Sequence, residues 1–218
     1  MAVAMSQLLV HSRLLARRVH SDWKHRLPAI LVSFRAALGL GLVAFNFAIH
    51  NNLIFAGAIA AAMLSDVYDG VLARRWQVDT EDLRRWDTRA DTLFYLCVFI
   101  VAVMRYPAAF QDRWLIIAAL ITAEVIQHVF AALKYGRHAS YHSILSKIWG
   151  LMMAAAMIAL LGFGVNNWFI DLTIVWGTCC NVQGLVMTLL LPTWHRDVPT
   201  LFHAIRLRNA IVDDHGRA

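Results

Sequence analysis

The chain alternates between long apolar segments and short polar ones, and this alternation is its dominant pattern. Six apolar segments are long enough to cross a hydrocarbon core of ~30 Å, because a helix needs about 20 residues for that distance. They consist mostly of Ala, Leu, Ile, Met and Gly, and only helices or closed barrels can span a bilayer. The sequence therefore predicts an all-α integral membrane bundle of six transmembrane helices, at residues 28–49, 53–73, 88–104, 114–133, 144–163 and 168–191.

The segments outside this bundle are short, which predicts a single membrane domain. Residues 6–26 place Leu, Val and Trp among Arg and Lys at helical spacing, and this predicts an amphipathic helix on the membrane surface. A basic flanking segment that only sets the topology explains the same residues equally well. We therefore divide the chain into an amphipathic juxtamembrane helix at 1–26, a six-helix transmembrane domain at 27–192 and a cytoplasmic C-terminal tail at 193–218.

The basic residues are distributed unevenly around the apolar segments. All but three of the 20 Lys and Arg residues lie before the first segment, after the last, in the second and fourth connections, or in the first turn of the segments that follow these connections (Arg89 and Lys147). The exceptions are Arg35, Arg105 and Arg113. Cytoplasmic segments of membrane proteins are enriched in Lys and Arg. The distribution thus predicts a multi-pass protein of the cell (inner) membrane with both termini in the cytoplasm.

The composition also indicates a membrane protein and is not that of a soluble domain. The chain is 60% hydrophobic and 16% charged, whereas a soluble domain carries about a quarter charged residues. The net charge of +6 is explained by a basic collar that faces anionic lipid headgroups. We find no nucleic-acid motif, and the expected partners are membrane lipids rather than nucleic acid.

Four aspartates stand where the second and third apolar segments meet. Asp66 and Asp69 are three residues apart, and Asp87 and Asp91 are four residues apart. Residues at these spacings share one face of a helix. Since the two segments are consecutive and joined by a short connection, we expect their facing surfaces to bring the four carboxylates together at the cytoplasmic end.

Four clustered carboxylates repel one another and require cations or protons to hold them together. Oxygen-only ligands favour hard ions, here Mg²⁺ or Mn²⁺. Two such ions are a recurring device for displacement at phosphorus. Solvated interfacial acids or a divalent-cation transporter are alternatives, but a transporter needs polar residues through the whole membrane depth, and these acids occupy one end.

The order of residues in this stretch resembles the signature of the CDP-alcohol phosphotransferases. Asp66 is followed by Asp69-Gly70, Ala73-Arg74, and then Asp87 four residues before Asp91. The segment PAILVSFR at residues 28–35 is similar to a first-span segment of that family, although Ala29 and Val32 replace the usual Asn and Thr. One position departs further: Leu83 stands where the family has a glycine that allows close approach of the nucleotide, so a catalytically inactive member is also an alternative.

The resemblance implies a phospholipid-synthesis transferase whose catalytic domain is 27–192. It would move a phosphatidyl group from CDP-diacylglycerol to an alcohol acceptor and release CMP, with two Mg²⁺ or Mn²⁺ ions. Asp91 would be both a metal ligand and the base that deprotonates the acceptor. The remaining roles would be metal binding by Asp66, Asp69 and Asp87, and CDP binding by Asp69, Gly70, Ala73 and Arg74.

The acceptor site is the least defined part of this prediction. Lys147, in the sequence SKIWG, lies where many members of the family have a lysine-bearing segment, and Arg137 and His138 precede it. They would bind the phosphate of an acceptor such as glycerol 3-phosphate or an inositol phosphate, or they are ordinary interfacial basic residues. Serine, choline and the hydroxyl of another lipid are alternative acceptors. The resemblance also suggests a homodimer.

Overall fold

The computed structural model describes residues 26–48, 50–76, 80–137, 141 and 143–215, which contain helices and no strand. The helix bounds, in chain order, are α1 (Arg26–Ala44), α2 (Leu53–Trp76), α3 (Glu81–Arg105), α4 (Pro107–Gln111), α5 (Trp114–Tyr135), α6 (Ile144–Met157, continued by a π-helical turn, Ile158–Gly162), α7 (Trp168–Leu190) and α8 (Leu201–His215). The predicted all-α class is confirmed.

Within the described ranges, five helices are long and apolar enough to cross a membrane: α1, α2, α5, α6 with its π-helical turn, and α7. The third predicted span, 88–104, lies within α3, which is not among the five. With 25 residues, α3 is long enough to cross, but its first two turns are strongly charged. The five apolar helices indicate a helical membrane protein. The sixth span, in α3, stays a prediction.

Two terminal segments bear on the predicted domain organisation. The predicted amphipathic helix at 1–26 lies almost wholly outside the described residues. The predicted C-terminal tail contains α8, a helix that the sequence analysis did not anticipate. Ala204 of this helix is buried against Tyr141, Met187, Leu191 and Val198, so α8 is packed onto the end of α7.

The chain divides after Met104 into two compact units. In the first unit, α1 packs closely on α3 at Gly39. A Cβ atom placed on Gly39 would lie 3.1 Å from the Cα of Phe94 and 3.4 Å from the Cβ of Cys97. Gly39 follows Arg35 by one turn, and Phe94 follows Asp91 by almost one turn. The two helices therefore run in the same direction, with Arg35 and Asp91 at a similar level.

We expect Gly39→Ala to destabilise the first unit. The added methyl group would press on the backbone of Phe94, and overpacking of this kind costs about 1–3 kcal/mol. That cost exceeds the ~1 kcal/mol by which alanine favours a helix over glycine. Gly41→Ala is the matched control, because a Cβ there meets no atom within 4 Å. Thermal unfolding in detergent should show a lower midpoint for Gly39→Ala only; equal midpoints for both variants would contradict the close contact.

The second unit is held together along α7. The indole nitrogen of Trp149 on α6 donates to the carbonyl oxygen of Thr173 at 3.0 Å, and that of Trp176 on α7 donates to the carbonyl oxygen of Leu145 at 3.2 Å. Lys134 at the end of α5 donates to the carbonyl oxygen of Thr188 at 2.7 Å. Carbonyls in the last turn of a helix lack partners within the helix, so this lysine caps α7.

The other end of α7 is tied to the start of α5. Asn167 caps α7 by accepting from the Phe169 amide at 3.1 Å. Arg113 donates through Nε to one oxygen of Asp171 at 2.6 Å and through Nη2 to the other at 3.0 Å. This bidentate ion pair fixes the orientation of the Arg113 guanidinium relative to Asp171. Arg113 therefore has a structural role in the second unit.

Candidate metal centre

The four aspartates predicted from the sequence lie on two helices of the first unit. Asp66 and Asp69 are on α2 and Asp87 and Asp91 are on α3. Each pair occupies one helix face because its members are three or four residues apart. The connection between the helices is short, and Thr80 caps α3 by accepting from the Leu83 amide at 3.2 Å. The first turns of α3 are thereby fixed just before Asp87.

All four carboxylates converge on the guanidinium of Arg35, which α1 contributes. Its Nη1 donates to Asp66 at 2.8 Å and also to Asp91. Its Nη2 donates to Asp87 at 3.0 Å and also to Asp69. The predicted clustering of the aspartates is present in the structure, and its centre is a cation that belongs to the chain itself. Three helices of one unit thus meet at a single point.

Burial differs strongly within this group, which we call the aspartate cluster (Asp66, Asp69, Asp87 and Asp91). The Arg35 side chain is 2% exposed and that of Asp69 is 6% exposed. The side chains of Asp66, Asp87 and Asp91 are 48%, 34% and 33% exposed. The cluster is therefore closed at Asp69 and accessible from outside at Asp66, Asp87 and Asp91.

The donor set fits hard divalent ions. Asp66, Asp69 and Asp87 each present a carboxylate oxygen, and these three oxygens lie within 4.8 Å of one another. Oxygens that share one Mg²⁺ lie at most about 4.2 Å apart, given metal–oxygen distances near 2.1 Å. Small side-chain movements would bring the three oxygens to that range. Asp91 is not one of these three, but it shares Arg35 Nη1 with Asp66 and so lies beside them.

The residues predicted to bind CDP follow Asp69 along α2. The guanidinium of Arg74 lies over Gly70, so that a Cβ atom at Gly70 would be 3.6 Å from Arg74 Nη2. Arg74 is exposed and Asp69 is buried. Ala73 is in the same helix. The exposed N–H donors of Arg74 thus lie beside Gly70, the residue that follows Asp69 on α2.

Leu83 lies in the first turn of α3, one turn before Asp87. Residues four apart share a helix face, so Leu83 and Asp87 are on the same side of α3. Leucine adds a branched side chain at a position where the family pattern has glycine. The departure therefore affects the neighbourhood of Asp87 and leaves the four carboxylates in place.

Residues predicted to contact the acceptor belong to the second unit, and their role stays a prediction. Arg137 is exposed and its guanidinium carbon lies 5.6 Å from the ring centre of Trp194. Lys147 is exposed on the first turn of α6, where Ser143 caps the helix by accepting from the Ser146 amide at 3.2 Å. His138 lies outside the described residues.

Sequence reasoning missed that Arg35 is the centre of the site. A charge inside an apolar span is costly, so this arginine requires polar or charged partners. A signal was present: one arginine inside an apolar span and four aspartates at the ends of the next two spans are opposite charges in a low-dielectric region. Such charges are stable there only when paired.

Comparison with known proteins agrees with the geometry. The family model described as CDP-alcohol phosphatidyltransferase matches residues 25–197. The match includes α1, α2 and α3, and therefore Arg35 and the aspartate cluster. Neither curated proteins nor solved structures give a match. Since the family model covers most of the sequence, the chain belongs to the CDP-alcohol phosphatidyltransferase family, whose members are transferases of phosphate-linked groups that generally depend on divalent metals.

Proposed function

We propose that the protein transfers a phosphatidyl group from CDP-diacylglycerol to an alcohol and releases CMP, as a step of phospholipid synthesis. The observation that carries this proposal is the convergence of four carboxylates from α2 and α3 on one point in a chain that belongs to this transferase family. Divalent ions held by the aspartate cluster, two in number by our proposal, would neutralise the oxygens of the donor diphosphate.

Asp91 is the proposed general base. Its side chain is accessible from outside, with 33% of its surface exposed, so that an acceptor hydroxyl can approach. It takes the hydroxyl proton as the alcohol oxygen forms a bond to the lipid-side phosphorus. The bond between that phosphorus and the bridging oxygen breaks, and the electron pair leaves with CMP. The product is a phosphodiester between the lipid and the alcohol.

The donor would be positioned by the α2 residues that follow Asp66. The N–H groups of Arg74 match the oxygens of a diphosphate, since a guanidinium forms paired charge-assisted bonds. Gly70 and Ala73 carry small side chains, which would let the cytidine part approach the α2 backbone. Asp69 would contribute to this CDP site as well as to the metal centre.

The acceptor in this proposal is a phosphorylated alcohol, such as glycerol 3-phosphate or an inositol phosphate. Arg137, His138 and Lys147 would supply positive charge for its phosphate. We further propose six spans, with α3 as the additional one, a homodimer, an N-terminal amphipathic helix, and a cytoplasmic active site at the inner membrane. The basic flanking segments support this orientation.

Incubation of the purified protein with CDP-diacylglycerol, Mn²⁺ and a panel of alcohols tests the reaction. We expect CMP release that requires an acceptor and is fastest with a phosphorylated alcohol. Choline and serine are the matched acceptors without a phosphate. CMP release with serine alone would contradict the acceptor class, whereas absence of CMP release with the whole panel would contradict the transferase activity.

A further inference from the structure

We infer that Arg35 is an internal counter-cation of the metal centre, which holds the four carboxylates in the absence of metal and gives them up when divalent ions bind. This inference rests on the proposed metal centre and adds a residue to it. Arg35 would be a positioning residue: it keeps the ligand set assembled and sets how tightly ions bind.

The first argument comes from the hydrogen bonds of the guanidinium. Its two terminal nitrogens carry four N–H groups, and each nitrogen donates to two different aspartates. Each aspartate thus gives one carboxylate oxygen to Arg35, and these carboxylates are the proposed ligands of the ions. The guanidinium and the ions therefore compete for the centre of the cluster, because both draw on the same four carboxylates and because their positive charges repel.

The second argument concerns what anchors the arginine. Its Nε–H is buried and has no hydrogen-bond partner within the described part of the chain. Within the described residues, the guanidinium is therefore held by the carboxylates through its two terminal nitrogens, and Nε adds no hydrogen bond. Ions that take the carboxylates remove the bonds that keep the guanidinium in position, and the long flexible side chain is free to change rotamer.

The third argument is the balance of charge. Four carboxylates in a partly buried site at the end of apolar helices strongly repel one another. One guanidinium compensates a single unit of that charge, and two divalent ions compensate all of it. Exchange of Arg35 for ions is therefore electrostatically favourable. When ions are absent, Arg35 still supplies one positive charge to the four carboxylates.

Mn²⁺ binding to the purified full chain tests this inference without reference to catalysis. The variant is Arg35→Gln, which removes the positive charge and retains a polar side chain. We expect its Mn²⁺ dissociation constant to fall by at least ~10-fold relative to the unaltered protein, because a repelling and competing cation is removed. In EDTA, Arg35→Gln should unfold at a lower temperature than the unaltered protein, and saturating Mn²⁺ should largely abolish that difference. If Arg35 had only a structural role, Arg35→Gln would bind Mn²⁺ more weakly than the unaltered protein.

Arg35→Lys provides a second variant that keeps the charge, should Arg35→Gln not fold. A lysine ammonium has three donors and a compact charge, so it cannot serve four carboxylates, and we expect Mn²⁺ binding tighter than in the unaltered protein. Unchanged or weaker Mn²⁺ binding in the folded variants would overturn the counter-cation role while leaving the metal centre intact. Absence of Mn²⁺ binding in the unaltered protein would overturn the metal centre itself.

Discussion

Replacing Asp91 by Asn should lower the rate of CMP release by about 10²–10⁴-fold, a loss that excess Mn²⁺ does not recover. Asn keeps the size of the side chain and can still accept a hydrogen bond from Arg35, so the helices should remain in place. It cannot take a proton from the acceptor hydroxyl. Raising the Mn²⁺ concentration restores metal occupancy at most, and the missing base remains missing.

Asp69→Asn separates the base from the ligands. Asp69 is the most buried of the four aspartates, and we assign it to metal and CDP binding. Its replacement should raise the Mn²⁺ concentration needed for half-maximal CMP release, with turnover partly restored at saturation. The exposed Asp82, on the first turn of α3, is a matched control, because surface substitutions usually change stability by less than ~0.5 kcal/mol. A near-normal rate of CMP release in Asp91→Asn would show that Asp91 is not the general base.

Much of the fold could be predicted because the membrane imposes a simple constraint. Apolar segments of about 20 residues in a bilayer must be helical, and five of the six predicted spans correspond to helices long and apolar enough to cross. Helix α8 could not be predicted in this way. It is short and mixed in composition, and its burial depends on tertiary contact of Ala204 with Met187 and Leu191 at the end of α7.

The candidate site, like the fold, could be predicted only in part. Spacing alone placed Asp66 with Asp69 and Asp87 with Asp91, because residues three or four apart share a helix face. The position of Arg35 required knowledge of how α1 packs on α3. That packing depends on the close approach at Gly39, which spacing along one chain does not reveal. Similarly, Lys134 belongs to a group of basic residues in the sequence, but in the structure it caps α7.

Removal of divalent ions should abolish transferase activity without unfolding the protein. In the proposed reaction the ions would neutralise the donor diphosphate, and Arg35, with a single positive charge, would not replace divalent ions. Arg35 remains bonded to the four carboxylates, so the ligand set should stay assembled. We therefore expect the loss to be reversible, with activity restored by Mg²⁺ or Mn²⁺ and not by a monovalent cation.

CMP release from CDP-diacylglycerol, followed during chelation and re-addition of metal, tests the central claim most directly. The protein would be assayed with a competent acceptor, then in excess EDTA, and then after EDTA is replaced by Mn²⁺. We predict full loss of CMP release in EDTA and recovery with Mn²⁺ in the unaltered protein, and little recovery in Asp91→Asn. Undiminished CMP release in EDTA would contradict a metal-dependent transferase centred on the four aspartates.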